Sequence, residues 1–198
     1  MGAAQRAPRA DAQRSRAKIL AAARALLATD GSDVALDRVA REAGVGNATL
    51  YRHFPTRAAL LSAMFHDQTE SLCAYAADLA ERVDSYEALR IWLTTLARET
   101  LENTGLAVAL RGMHPELANV DNCHDMIHSA TVSLVAGAAA GGRTRPDVTA
   151  ADLLAIVTGI ALALGPDASP ADGERLVEIF LAGMATRPDD RAGHRPIE

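Results

Sequence analysis

Two histidines four residues apart, His124 and His128 in the segment HDMIH, are the side chains whose type and spacing most directly suggest chemistry. Residues i and i+4 of a helix share a face, so the two imidazoles could bind one metal ion, as in the metalloprotease pattern HExxH. The acid between them is Asp125 rather than glutamate, and no third ligand is obvious, although Cys123 and His114 are near in sequence. Metal sites need three or four converging ligands. The sequence also lacks GxSxG, P-loop and GxGxxG motifs, so we expect no metal, no cofactor and no catalytic residue; a metal-handling protein or an enzyme that uses this histidine pair is the alternative.

A second candidate is the short segment VGNATLYRHF, residues 45–54. At about 100° per residue, Leu50 and Phe54 lie on one side of a helix and face a core together with Val45. The other side carries small, hydrogen-bonding or cationic side chains, flanked by an aromatic residue and a histidine: Asn47, Ala48, Thr49 and Arg52, with Tyr51 and His53. Small and polar groups of this kind can enter a DNA major groove and reach base edges. The segment is therefore a candidate reading helix, and Arg57 beyond it could bind a phosphate.

The elements around this segment form a helix-turn-helix pattern. An amphipathic helix is predicted from Gln13, with apolar residues spaced for one face and Gly31 as its C-terminal cap: Ile19, Leu20, Ala23, Leu26 and Leu27. A short second helix repeats apolar residues at 36, 39, 40 and 43, and the turn AGVG joins it to the third. Pro55 ends the third helix, and Thr56 can cap the fourth.

The composition indicates an all-α protein. Of the 198 residues 49% are hydrophobic and only 4% aromatic, and the apolar residues are mostly the helix formers Ala and Leu. With the patterns at 57–82, 85–103, 105–113, 117–139, 149–164 and 171–186, about nine helices are predicted. We expect a disordered basic arm over 1–12, a helix-turn-helix domain over 13–59, a ligand-binding and dimerisation domain over 60–187 and a disordered tail over 188–198.

Charge is divided unevenly along the chain. Residues 1–57 contain ten basic and five acidic side chains, whereas the whole chain has a net charge of −5. A basic module on an acidic body is typical of a nucleic-acid-binding protein. We expect no secretory signal and no membrane span, because the longest apolar run, residues 153–166, is shorter than the ~20 residues a bilayer requires. Two cysteines outside any CxxC motif fit a reducing cytoplasm.

The run from Ile19 to Met64, ILAAARALLATDGSDVALDRVAREAGVGNATLYRHFPTRAALLSAM, resembles the DNA-binding domain of the tetracycline-repressor (TetR) family. The resemblance implies a ligand-responsive transcriptional regulator, a repressor that binds palindromic operator DNA as a homodimer and is released by a small-molecule effector. It also implies that Asn47, Ala48 and Thr49 read bases, that Tyr51, His53 and Arg57 hold phosphates, and that Arg52 does either. Two positions depart from the family pattern. Ala35 at the start of the second helix removes a helix cap worth ~1 kcal/mol and one DNA contact. Gly46 replaces the more usual serine, threonine or charged residue beside a base contact.

The C-terminal helices offer a pairing surface. The helix over 153–164 has no charged residue and is apolar nearly all round, so it must be buried on more than one side. We expect a four-helix interface, two helices from each subunit, whose residues are Leu153, Ile156, Val157, Ile160, Leu164, Leu176, Phe180 and Met184. The alternative is that both helices are only the core of a monomer.

An effector pocket is expected between about residues 60 and 140. Pockets are mostly apolar with a few polar groups, and the candidate lining residues are Phe65, Cys73, Trp92, Leu96, Leu110, Met113, His114, His124, Ile127 and His128. Trp92 could equally be a core residue. A third hypothesis for the whole protein is a sequence-tolerant DNA binder, which would show steep salt dependence and little discrimination between sites.

Overall fold

The computed structural model describes residues 6–30, 34–102, 118–165 and 167–184, and the regular elements within these ranges are α-helices. In chain order they are α1 (Arg6–Asp30), α2 (Leu36–Glu42), α3 (Asn47–His53), α4 (Arg57–Arg82), α5 (Ser85–Glu102), α6 (Ala118–Ala140), α7 (Ala150–Leu164) and α8 (Pro170–Met184). The prediction of an all-α protein is confirmed. The helix predicted over 105–113 and the cap predicted at Gly31 lie outside the described residues.

The first helix starts earlier than predicted. It begins at Arg6 and not at Gln13, so residues 6–12, which we expected to be a disordered arm, are helical. Alanine and arginine favour the helix, and Pro8 lies in the first turn, where the missing N–H costs no intrahelical hydrogen bond. Periodicity could not reveal this segment, because none of the described side chains before Ile19 is buried.

The described residues pack as two compact units. The first contains residues 6–68 and 118–122, and the second contains residues 69–102 and 123–184. The division falls inside α4, between Gln68 and Thr69. The boundary predicted from the sequence, between residues 59 and 60, lies within the same helix.

The first unit is built on the apolar faces of α1, α2, α3 and the first turns of α4. Its core holds the residues predicted from periodicity and adds three from α4: Ile19, Leu20, Leu26, Val39, Leu50, Phe54, Leu60, Leu61 and Met64. Asp67 of α4 accepts a hydrogen bond from Arg24 of α1, and its carboxylate also lies 3.7 Å from the Arg16 guanidinium. Because these ion pairs are partly exposed, they align α1 with α4 more than they stabilise the unit.

The second unit is centred on α5, which packs against α7 and α8. Its largest buried side chains are Trp92, Leu89, Leu93, Leu153, Val177 and Leu181. The Trp92 indole Nε1 donates to Thr131 Oγ1 over 2.9 Å, which fastens α5 to α6. On the other side of α5, the Arg90 guanidinium donates to Glu87 and to Glu178 of α8. Apolar burial therefore supplies the stability of the unit, and these polar contacts fix which faces meet.

The start of α7 has a complete capping box. Thr149 Oγ1 accepts from the Asp152 backbone N–H at 3.2 Å, and Asp152 Oδ2 accepts from the Thr149 backbone N–H at 3.0 Å. The hydrogen bonds from the Thr149 side chain and backbone hold the pKa of Asp152 below its usual value. Two unpaired amides at the helix start are thereby satisfied, and the predicted start of this helix near residue 149 is confirmed.

Candidate nucleic-acid interface

A tight turn at Gly44 sets the direction of α3 relative to α2. The φ of Gly44 is +64°, a left-handed conformation that residues with a Cβ rarely adopt. Its N–H donates to the carbonyl of Arg41 at 3.1 Å, and the N–H of Val45 donates to the carbonyl of Ala40 at 3.0 Å. This pair of bonds is the Schellman arrangement that ends helices, and Val45 packs half-buried on the core beside it. The AGVG turn predicted from the sequence is therefore a structural joint that leads directly into α3.

The two faces of α3 separate as predicted. Leu50 is fully buried and Phe54 is 3% exposed, whereas Asn47, Ala48 and Arg52 are exposed on the other side. Tyr51 is 44% exposed and Thr49 is half-buried. The helix is thus anchored by its apolar side, and its outward side is small, polar and cationic.

The hydroxyl of Tyr51 has a neighbour that the sequence did not reveal. It lies 3.5 Å from Asp37 Oδ1 of α2, at the long limit for a hydrogen bond. The two residues are fourteen positions apart, and only the turn at Gly44 brings them together. So weak a bond orients the Tyr51 ring along the outer face and can be exchanged for a stronger acceptor such as a phosphate oxygen.

His53 is less accessible than the sequence suggested. Its side chain is half-buried, its ring centroid lies 6.2 Å from that of Phe54, and its Nε2 is buried without a hydrogen-bond partner in the structure. Since a neutral or charged imidazole reaches phosphate through an exposed ring N–H, Nε2 cannot make that contact in this rotamer. A phosphate contact from His53 stays a prediction that requires Nδ1 or a change of rotamer.

The end of α3 is joined closely to the start of α4. Thr56 Oγ1 accepts the Ala59 backbone N–H at 3.1 Å, so the predicted cap of α4 is confirmed. It places Arg57, which is half-buried, in the first turn of that helix. Ala35 precedes α2 without any side-chain cap, as its residue type predicted. The basic residues Arg38 and Arg41 of α2 are also exposed in this unit.

The residues expected to line a pocket lie in different surroundings. Phe65 packs half-buried against the core of the first unit, and its place in a pocket stays a prediction. Trp92 and Leu96 belong to the core of the second unit, and the one polar atom of the Trp92 side chain, Nε1, already donates to Thr131 Oγ1. This placement fits the alternative reading of Trp92 as a core residue. Leu110, Met113 and His114 lie outside the described residues.

The remaining pocket candidates lie on α4 and α6. Cys73 is half-buried, Ile127 packs half-buried on the core, and both His124 and His128 are exposed. Burial, and then the neighbouring Cys123, raise the pKa of the Cys73 thiol, and burial raises the pKa of Cys123 despite a hydrogen bond with Thr69. Both thiols are therefore protonated at neutral pH and are weak nucleophiles and weak metal ligands. Among the described residues, no group of three or more His, Cys, Asp or Glu could hold a metal ion.

The residues expected at a dimer interface divide into core and surface. Leu153 and Val157 are 1% and 4% exposed in the single chain, so they are core residues and do not offer pairing surface. Ile160 and Phe180 pack half-buried against the same core. Ile156, Leu164 and Leu176 are half-buried, and the side chain of Met184 lies outside the described residues.

Two large apolar residues are exposed on these helices, and sequence reasoning included Ile179 in the pairing surface but missed Leu162. Leu162 of α7 is 68% exposed and Ile179 of α8 is 59% exposed. The pattern of α7 could not show which side points outward, because apolar residues surround almost the whole helix. In α8 the helical periodicity does indicate the exposed side, since Ile179 lies opposite to the buried Val177 and Leu181.

The fold and the outward face of α3 define the class: a helix-turn-helix unit followed by a separate helical unit. A model of the bacterial regulatory proteins of the TetR family matches residues 19–64. A second model, described as the C-terminal domain of SbtR-like transcriptional regulators, matches residues 84–186, about half of the chain. The chain belongs to the TetR family of transcriptional regulators.

Solved structures agree with this assignment. A TetR transcriptional regulator from Streptomyces coelicolor is 36% identical, with a TM-score of 0.71, and the match covers 86% of this chain and 98% of that one. A TetR transcription regulatory protein from Mycobacterium vanbaalenii is 31% identical, with a TM-score of 0.72, over 90% and 99% of the two chains. A curated HTH-type transcriptional regulator from Mycobacterium tuberculosis is 32% identical over 98 residues, which are 49% of this chain and 48% of that protein. The match thus spans about half the length of the curated relatives.

None of the described helices is both long and apolar enough to cross a bilayer.

Proposed function

We propose that the protein is a repressor that binds a palindromic operator as a homodimer and leaves it when a small-molecule effector binds. The proposal rests on the two different faces of α3. Leu50 on one face is fully buried, whereas Asn47, Ala48 and Arg52 on the other face are exposed. Apolar side chains hold the helix on its unit, and the opposite side presents no large aliphatic side chain. Exposed amide and guanidinium groups on a short helix suit hydrogen bonding to base edges in a major groove.

Each residue of this face has a proposed role. Asn47, Ala48 and Thr49 contact bases, where Ala48 allows the backbone to approach and the two polar side chains donate or accept hydrogen bonds. Tyr51 and Arg57 bind phosphates and thereby set the position of α3 on the duplex. These phosphate contacts contribute little to sequence preference. Arg52 is exposed enough to reach either target.

Pairing of two subunits is supported by the exposed apolar side of α7 and α8. Leu162 and Ile179 are the large side chains there, and the two helices pack against each other. A Cβ built on Gly159 of α7 or on Gly183 of α8 would meet nothing within 4 Å, so another helix could approach both backbones closely. One reading helix covers too few base pairs to specify a site, and a symmetric pair reads two half-sites.

Release by an effector rests on the family and on the second unit having a core of its own. An effector weakens DNA binding only if it binds the DNA-free arrangement more tightly than the DNA-bound one. The described candidates for contact with it that are not fully buried are Phe65, Cys73, Ile127, His124 and His128.

Selection of bound sequences from random duplex DNA tests this proposal. A palindromic consensus is expected, with two half-sites separated by one or more helical turns. Binding without a consensus would favour a sequence-tolerant DNA binder, and a steep salt dependence would accompany it. Absence of binding would reject the proposal and redirect attention to the histidine pair on α6.

A further inference from the structure

The acidic side chain of Asp37 lies beside a residue to which the proposed function assigns a phosphate. Asp37 is exposed in the first turn of α2, and its Oδ1 lies 3.5 Å from the hydroxyl of Tyr51 on α3. Within the described parts of the chain no basic side chain forms an ion pair with Asp37, although Arg38 and Arg41 are exposed on the same helix. A negative charge that no direct ion pair neutralises therefore lies next to the Tyr51 hydroxyl.

The stability of α2 gives one reason for an acid at this position. Ala35 leaves the start of α2 without a side-chain cap, and a negative side chain in the first turn interacts favourably with the positive end of the helix. If this were the whole role of Asp37, its replacement would weaken α2 and with it DNA binding. The position beside Tyr51 has the opposite consequence, because the carboxylate repels an anion that approaches the hydroxyl. The two roles thus change DNA affinity in opposite directions.

The Tyr51 hydroxyl has a single proton to share between two acceptors. It can donate to Asp37 or to a phosphate, but not fully to both. A hydroxyl donates to a charged oxygen over about 2.7 Å. Since Asp37 Oδ1 is 3.5 Å from the same hydroxyl, a phosphate oxygen bound there would lie within about 6 Å of the carboxylate. Phosphate binding by Tyr51 therefore replaces the contact with Asp37 and brings two negative charges together.

We propose that Asp37 is an intramolecular competitor of the DNA backbone, which holds the Tyr51 hydroxyl in the DNA-free protein and lowers the affinity of the chain for DNA. The inference rests on the proposed function, in which Tyr51 contacts a phosphate. Because phosphate contacts contribute little to sequence preference, Asp37 lowers the affinity for the operator and for unrelated DNA alike. An operator complex of limited affinity is also one that an effector can reverse with a smaller difference in its own affinity for the two states.

Removal of the negative charge tests the inference. The wild-type chain and D37N are titrated by fluorescence anisotropy at low salt against the operator duplex obtained by selection and against an unrelated duplex of the same length. Repulsion between unit charges about 6 Å apart in water corresponds to about a threefold change in affinity per subunit and about tenfold for a bound pair. D37N should bind both duplexes more tightly by about this factor. D37A should do the same without adding a donor, and a gain in D37N alone would overturn the inference.

Glu42 supplies the matched control. It is an exposed acid of the same helix, five residues from Asp37 and about 140° away around the axis. E42Q removes one negative charge, as D37N does, and should increase the affinity less. An equal gain in E42Q would show that only the net charge of the unit matters and would overturn the assignment to Asp37.

The Tyr51 hydroxyl gives a second readout. Y51F keeps the ring and removes the donor, so a phosphate is no longer held beside the carboxylate. The gain from D37N should therefore be smaller in Y51F than in the wild-type chain, and an equal gain in both would contradict the inference. If the wild-type chain binds its operator and neither D37N nor D37A binds more tightly, the inference is wrong and the proposed function stands. If the wild-type chain binds no DNA, both fail.

Discussion

Removing the exposed apolar side chains of α7 and α8 should dissociate the proposed homodimer without unfolding the subunit. The perturbation is the double variant L162A/I179A. Both residues are among the most exposed large apolar side chains of the described chain, at 68% and 59%. Alanine keeps the helices intact because it is the strongest helix former.

The size of the effect follows from the exposed fractions. Leucine or isoleucine to alanine removes the equivalent of three methylene groups, each worth about 0.8 kcal/mol when fully buried. Scaled by 68% and 59%, the two substitutions cost roughly 3 kcal/mol per subunit and roughly 6 kcal/mol per dimer. Since 1.4 kcal/mol is a factor of ten, the dimer dissociation constant should rise by about four orders of magnitude.

Sedimentation velocity over a concentration series measures that constant. The control is V132A, which shortens an apolar side chain of α6 that is 45% exposed and lies on neither pairing helix. V132A should remain a dimer, and thermal unfolding should show that L162A/I179A subunits are folded. A dissociation constant unchanged in L162A/I179A would refute the pairing through this face.

Three further predictions concern local contacts. T131V should lower the free energy of unfolding in urea by about 1–3 kcal/mol, because the indole N–H of Trp92 loses its buried acceptor, whereas T131S should retain it. T56A should cost about 1 kcal/mol by uncapping α4, and T56S should restore it. The hydrogen bond from Arg90 holds the pKa of Glu87 below its ordinary value, so the folded state binds fewer protons than the unfolded state, and the stability from this pair is lost as pH falls below 4.5. E87Q should therefore show a shallower loss of stability between about pH 5 and pH 3 in acid titrations followed by circular dichroism.

The position and orientation of α3 were predictable because its periodicity and the turn before it agree. Leu50 and Phe54 are 40° apart on the helix by spacing alone, and only one orientation buries both. Gly44 is required by the left-handed turn, so its presence marked the joint. The outward set at Asn47, Ala48 and Arg52 followed from these two constraints.

Three other features of the structure could not be predicted from the spacing of residues in the sequence. The start of α1 at Arg6 could not be found from an apolar stripe, since the helix there is held by propensity and continuity. Sequence periodicity could not identify the solvent-facing side of α7, because apolar residues surround the helix. The pattern therefore could not distinguish the buried Leu153 from the exposed Leu162. The contact of Tyr51 with Asp37 depends on the angle between two helices, a quantity that residue spacing does not contain.

Recognition of operator bases by α3, delivered twice by a symmetric pair, is tested most directly by repeating the selection from random duplexes with the variant N47A. Asn47 is exposed at the first position of α3, and its amide can bond a single base edge. The account predicts a consensus that loses preference at two symmetry-related positions, one in each half-site, and keeps the rest. A consensus identical to that of the wild-type chain, or one altered in a single half-site only, would contradict it.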